Sequence, residues 1–87
     1  MPTISYFYGI AIRMYFFDHP PPHFSAEYRG FEANISIETG EVIAGKLPRT
    51  AARIVKEWAL EHQDALAENW RLVEAGETPA KVPGADE

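Results

Sequence analysis

A chain of 87 residues is long enough for one hydrophobic core and too short for two domains. It is 46% apolar and 13% aromatic, with no apolar run near the roughly 20 residues of a bilayer span, which excludes a membrane helix. Zero cysteines exclude disulfides and thiolate chemistry, and a formal charge of −5 opposes the phosphate attraction that dominates non-specific nucleic-acid binding.

The N-terminus lacks the basic-then-apolar layout of a secretory signal, so a cytoplasmic protein with no membrane association is expected. Arg13, Lys46, Arg49, Arg53 and Lys56 form a basic subset within the acidic whole, which leaves nucleic acid open as a partner.

From Thr3 to Phe17 the residues are dense in β-branched and aromatic types. Tyr6, Tyr8, Ile10, Ile12, Met14 and Phe16 occupy the even positions, which predicts one strand over about Gly9 to Phe17 with Arg13 and Tyr15 pointing away from the core. Asp18-His19-Pro20-Pro21-Pro22-His23 follows. Three prolines fix φ and donate no amide, so this segment is a stiff, non-helical turn.

Phe24, Ala26 and Tyr28 then alternate with His23, Ser25 and Glu27 in a second half-buried strand. Arg29-Gly30 turns the chain into the clearest alternation, Phe31, Ala33, Ile35 and Ile37 against Glu32, Asn34, Ser36 and Glu38. Thr39-Gly40 reverses it again into a short strand from Glu41 to Ala44. The expected fold is α+β, an antiparallel four-stranded meander followed by one kinked helix or two C-terminal helices packed on one sheet face.

The helical segment begins at Pro48 and carries Ala51, Ala52, Ile54, Val55, Trp58, Ala59, His62, Leu66, Trp70 and Val73 at helical spacing. Unbroken to Ala75 it would be about 40 Å long, so a break near His62 to Asp64 is expected, with Asp64 capping a second helix. His62 reads as a core histidine, and Trp58 and Trp70 read as core. Residues 1–76 are expected to form the domain, and 77–87 a short, acidic, disordered tail marked by Pro79, Pro83 and Gly84.

If the pleat holds, Arg13, Tyr15, His23, Ser25 and Glu27 share one sheet face. Such a set suits general acid/base work: His23 as base or acid, Arg13 balancing phosphoryl charge, Tyr15 or Glu27 assisting, as in a small metal-independent nuclease. The polar side of any two-stranded ribbon also collects such residues without chemistry. A metal reading asks His19 and His23 to converge with Asp18 or Glu27. In an extended proline conformation the two histidines would stand roughly 12 Å apart, so one ion binds both only if the turn doubles back. Apart from a divalent metal, no cofactor is implied. The rings of Tyr6-Phe7-Tyr8 and Tyr15-Phe16-Phe17 exceed what one small core needs, which points to a protein partner, a homo-oligomer, or both.

Met1-Pro2-Thr3-Ile4-Ser5 with Phe7-Tyr8-Gly9, Asp18-His19 through Tyr28, Glu38-Thr39-Gly40-Glu41, and Trp58 with Asn69-Trp70 resemble the small bacterial family called domain of unknown function 4160. The resemblance runs over about Met1 to Glu74. The family pattern has His-Phe-His where this chain has His23-Phe24-Ser25, so a chemistry needing all three imidazoles is put in doubt. The resemblance implies a neighbouring small gene in an arrangement like a toxin-antitoxin module, hence a protein partner encoded beside it. The reading that follows is a non-catalytic interaction component of such a pair, with the nuclease and the histidine metal site as alternatives.

Overall fold

The N-terminal stretch holds two strands where the sequence predicts one. In the computed structural model, which describes residues 2–87, β1 (Thr3–Phe7) and β2 (Ile10–Arg13) form a hairpin. Tyr8 and Gly9 make its turn at φ of 51° and 79°, the left-handed pair whose twist matches the flanking strands. A tyrosine in that conformation lies outside the usual Asn, Asp and Gly choices, which hid the turn. The turn also shifts the phase of the even positions: Ile10, Ile12 and Met14 are buried, whereas Tyr6 and Tyr8 are 65% and 59% exposed.

A loop over residues 14–22 leads to β3 (His23–Tyr28), which pairs with β2 and with β4 (Phe31–Ser36). Arg29-Gly30 between them repeats the same left-handed turn, at 48° and 85°. The last strand, β5 (Val42–Gly45), completes a five-stranded antiparallel sheet in the order β1-β2-β3-β4-β5. The expected four-stranded meander is therefore corrected by one strand. Its β-rich N-terminus folds back on itself instead of running straight.

α1 (Arg49–Glu61) and α2 (Gln63–Glu74) roof one face of the sheet, as two helices and not one. Ala51, Val55, Trp58 and Ala59 from α1 and Leu66, Trp70 and Val73 from α2 bury against Ile4, Phe7, Ile12, Phe24, Ala26 and Ile35. The break falls at His62, and His62 itself supplies its chemistry. Its ring Nδ1–H donates to the Trp58 carbonyl at 2.8 Å, and its own amide reaches only to Ala59. The carbonyl four residues back, which would have accepted the next helical bond, is thus capped by a side chain. Gln63 follows immediately and donates Nε2–H to the carbonyls of Ile37 and Glu38, tying the start of α2 to the end of β4. Asp64, expected as the cap, lies inside the first turn of α2.

Residues 77–87, expected as a disordered tail, pack in this structure against the helices and β1. Asn69, 1% exposed on α2, donates Nδ2–H to the Ala80 carbonyl and accepts the Ala80 amide on Oδ1, both at 2.8 Å. The Trp58 indole donates to the Pro83 carbonyl at 2.7 Å, and the Val82 amide donates to the Ile4 carbonyl at 2.8 Å. Val82 itself is buried in the core. Proline, glycine and acidic residues forbid regular structure over 77–87, but they do not forbid packing. The partners that hold this segment lie far away in sequence.

Candidate functional site

The loop over residues 14–22 is held at both ends and in the middle. The Met14 amide donates to the Pro2 carbonyl at 3.2 Å, the Phe17 amide to the Val73 carbonyl at 3.1 Å, and the Ile37 amide to the Pro22 carbonyl at 3.1 Å. Phe17 takes a φ of 57°, which L side chains rarely adopt, and its ring lies over Gly76 while remaining 71% exposed. The Pro20–Pro21 peptide is cis.

His23 is the internal clamp of this loop. Its Nδ1–H donates to the Pro21 carbonyl at 2.7 Å, its Nε2 stands 3.0 Å from Asp18 Oδ2, and its ring packs on Trp70 with centroids 5.3 Å apart. The side chain is 10% exposed. Both ring nitrogens are engaged by oxygens of the loop itself.

Register puts Arg13 opposite Ser25 and Ala11 opposite Glu27. Residues directly opposite in a pleated pair point to the same face, so Arg13, Ser25 and Glu27 share the face away from the helices. Arg13 Nη1 donates to Glu27 Oε1 at 2.7 Å and its Nε donates to Thr3 Oγ1 at 3.3 Å. The hydrogen bond it donates to Glu27 raises the guanidinium pKa above its ordinary value, outweighing slight desolvation. This is an internal ion pair, with its charge already balanced.

Tyr15 lies beyond the end of β2, not within it as the sequence predicts. Its hydroxyl nevertheless reaches the open face and donates to Glu32 Oε2 at 3.5 Å, the same oxygen that Ser25 Oγ–H reaches at 3.1 Å. Glu32, opposite Glu27 across the Arg29-Gly30 turn, is thus a second carboxylate of the site. The two-residue turn fixes that pairing, so the signal for Glu32 is present in the sequence.

Tyr15, Phe17, Asp18, His19, His23 and Glu32 line a cavity of about 530 Å³ between the proline loop and β4. The four candidate catalytic residues therefore divide into two groups. Tyr15 and His23 face this cavity, while Arg13 and Glu27 pair with each other outside its wall. No lysine or arginine lines it. Two carboxylates, two imidazoles and three aromatic rings, Phe16 included, make a wall that suits a cationic or amine-bearing group over a phosphate. His19 and His23 both reach the cavity. Among the described residues, no group of three or more His, Asp or Glu side chains is placed to hold one metal ion.

The fold and site together define an α+β domain in which a helix-roofed meander leaves one sheet face and one proline loop open. A family model described as a domain of unknown function, DUF4160, matches residues 9–71, and the chain belongs to that family. No curated protein and no solved structure matches the chain. No helix is long and apolar enough to cross a membrane among the described residues.

Proposed function

We propose that this chain is the protein-binding, non-catalytic component of a toxin-antitoxin-like gene pair, and that its partner inserts a basic and apolar segment into the cavity beside the proline loop. The observation that carries this reading is Phe17: a large ring held 71% exposed, at an unfavourable φ, by a backbone bond to α2. Strained conformations persist where the surrounding structure over-determines them, and they cluster at binding sites. Asp18 and Glu32 on the cavity wall, with a net charge of −5, supply the electrostatic complement for a cationic partner.

Co-expression with the product of the adjacent gene, followed by titration of the purified pair, tests the proposal. A complex is expected, weakened more than tenfold by Phe17→Ala and by Glu32→Gln at low salt. Absence of any complex, or a complex indifferent to both substitutions, removes it.

The nuclease reading stands second, on the single ground that Tyr15 and His23 line one cavity. Ribonucleotide cleavage abolished by His23→Phe, with the fold intact by circular dichroism, would promote it. The metal reading expects a rise in melting temperature with zinc, nickel or manganese that His19→Ala removes.

A further inference from the structure

The far edge of the sheet carries a feature that the cavity does not explain. β5 has a neighbour on one side only, so one row of its backbone groups faces solvent. All four of its residues are exposed, Val42 at 38% and Ile43 at 47%, and none is charged or proline. Natural edges are usually blunted by one or the other. In the chain, the strand is flanked by two charges, Glu41 before it and Lys46 after it.

A bulge sets the phase of this edge. Val42 pairs with Ile35 and Ala44 pairs with Asn34, which leaves Ile43 as the extra residue. The Glu41 carbonyl accepts the Ser36 amide at 2.9 Å, and the Lys46 amide donates to the Glu32 carbonyl at 3.0 Å. Both flanking residues therefore turn their backbone inward, toward β4. In a regular strand, residues five apart face opposite ways; the extra residue brings these two into phase. Alternation from each end then turns Val42 and Gly45 outward. Gly45 is required here, since a Cβ at its φ of 77° would stand 2.3 Å from the Glu32 carbonyl oxygen.

The order from 41 to 46 thus runs inward, outward, inward, inward, outward, inward, which reads the same in both directions. An antiparallel strand with that same order is its geometric complement. We infer that β5 pairs with β5 of a second copy of this chain about a two-fold axis, making a continuous ten-stranded sheet. Val42 of each copy lies opposite Gly45 of the other, a branched side chain over a position with none. Glu41 of each copy lies opposite Lys46 of the other, giving an ion pair at both ends. Glu41 already pairs with Lys56 of its own chain at 2.5 Å through Oε2, so it would sit between two lysines. Slipping the register by one residue puts Glu41 opposite Gly45 and mismatches the backbone order. The contact is small against the roughly 1,200 Å² of a stable interface, so the association is weak and concentration-dependent.

Sedimentation equilibrium of the full chain tests this, with circular dichroism as the control for folding. The mass is expected to rise from 9.8 kDa toward twice that value with concentration. Lys46→Glu and Glu41→Lys each place like charges at both ends of the contact, and each variant alone is expected to stay monomeric with an unchanged spectrum. Mixing the two variants restores both opposite-charge pairs, so the mixture is expected to dimerise. A wild-type chain that is monomeric at every concentration overturns the inference. So does a dimer that survives both substitutions, or a mixture that remains monomeric.

Discussion

The two edges of this sheet have opposite fates. The β1 edge is covered: Val82 donates to the Ile4 carbonyl, Lys81 Nζ donates to the Thr3 carbonyl at 2.6 Å, and the segment bearing both is fastened to the helices by Asn69 and Trp58. The β5 edge is bare from Val42 to Gly45. Both strands present the same kind of unpaired backbone, so the difference lies in what the rest of the chain can reach. One edge is finished by the C-terminal segment from within, and the other is left unpaired.

The contrast breaks most severely if the covering segment is removed. Deleting residues 79–87 uncovers Val82's place in the core, about 1.5–3 kcal/mol of burial, and strands the Asn69 amide, about 1–3 kcal/mol. Together these approach the whole net stability of a small domain, roughly 5 kcal/mol. The truncated chain is expected to be unfolded or to melt far below the full one by circular dichroism.

Asn69→Ala is the milder version. It leaves the Ala80 amide and carbonyl without their partners and is expected to cost about 1–3 kcal/mol in urea unfolding. Ile43→Lys, on the bare edge, is expected to shift the stability of the monomer by no more than about 0.5 kcal/mol. A large loss there would mean that β5 is not the free edge described.

The smallest effect belongs to Glu68, exposed on α2 and bonded to Arg71. That bond holds the Glu68 carboxyl below its ordinary pKa. Its contribution is therefore present above the unfolded-state value and fades as pH falls through the lowered one. Glu68→Gln is expected to leave the melting temperature unchanged at neutral pH, because the pair is solvent-screened.

The middle of the sheet was legible in the sequence because two strict alternations flank Arg29-Gly30, a turn that fixes its own register. The helical roof is legible from spacing, and so is a break near His62, but its cause is not, since the ring-to-carbonyl bond that makes it depends on a rotamer. The β1–β2 hairpin was lost because a tyrosine occupies the left-handed position normally given to Asn or Asp. The packing of residues 77–87 is not legible in the sequence, because their composition describes the backbone they cannot form, while their contacts come from residues 69 and 58 and from β1. At the site, the shared face of Arg13, Ser25 and Glu27 followed from alternation. The burial of His23 between Asp18, Pro21 and Trp70 did not, because it needs the path of the loop.

Amide hydrogen exchange at two residues, Val82 and Val42, compares the edges directly. Val82 is expected to be strongly protected at every protein concentration, and Val42 to exchange rapidly in dilute protein and slow down as concentration rises. An unprotected Val82, or a Val42 whose exchange is slow even at the lowest concentration, would contradict a sheet with one edge closed by its own chain and the other open to a second copy.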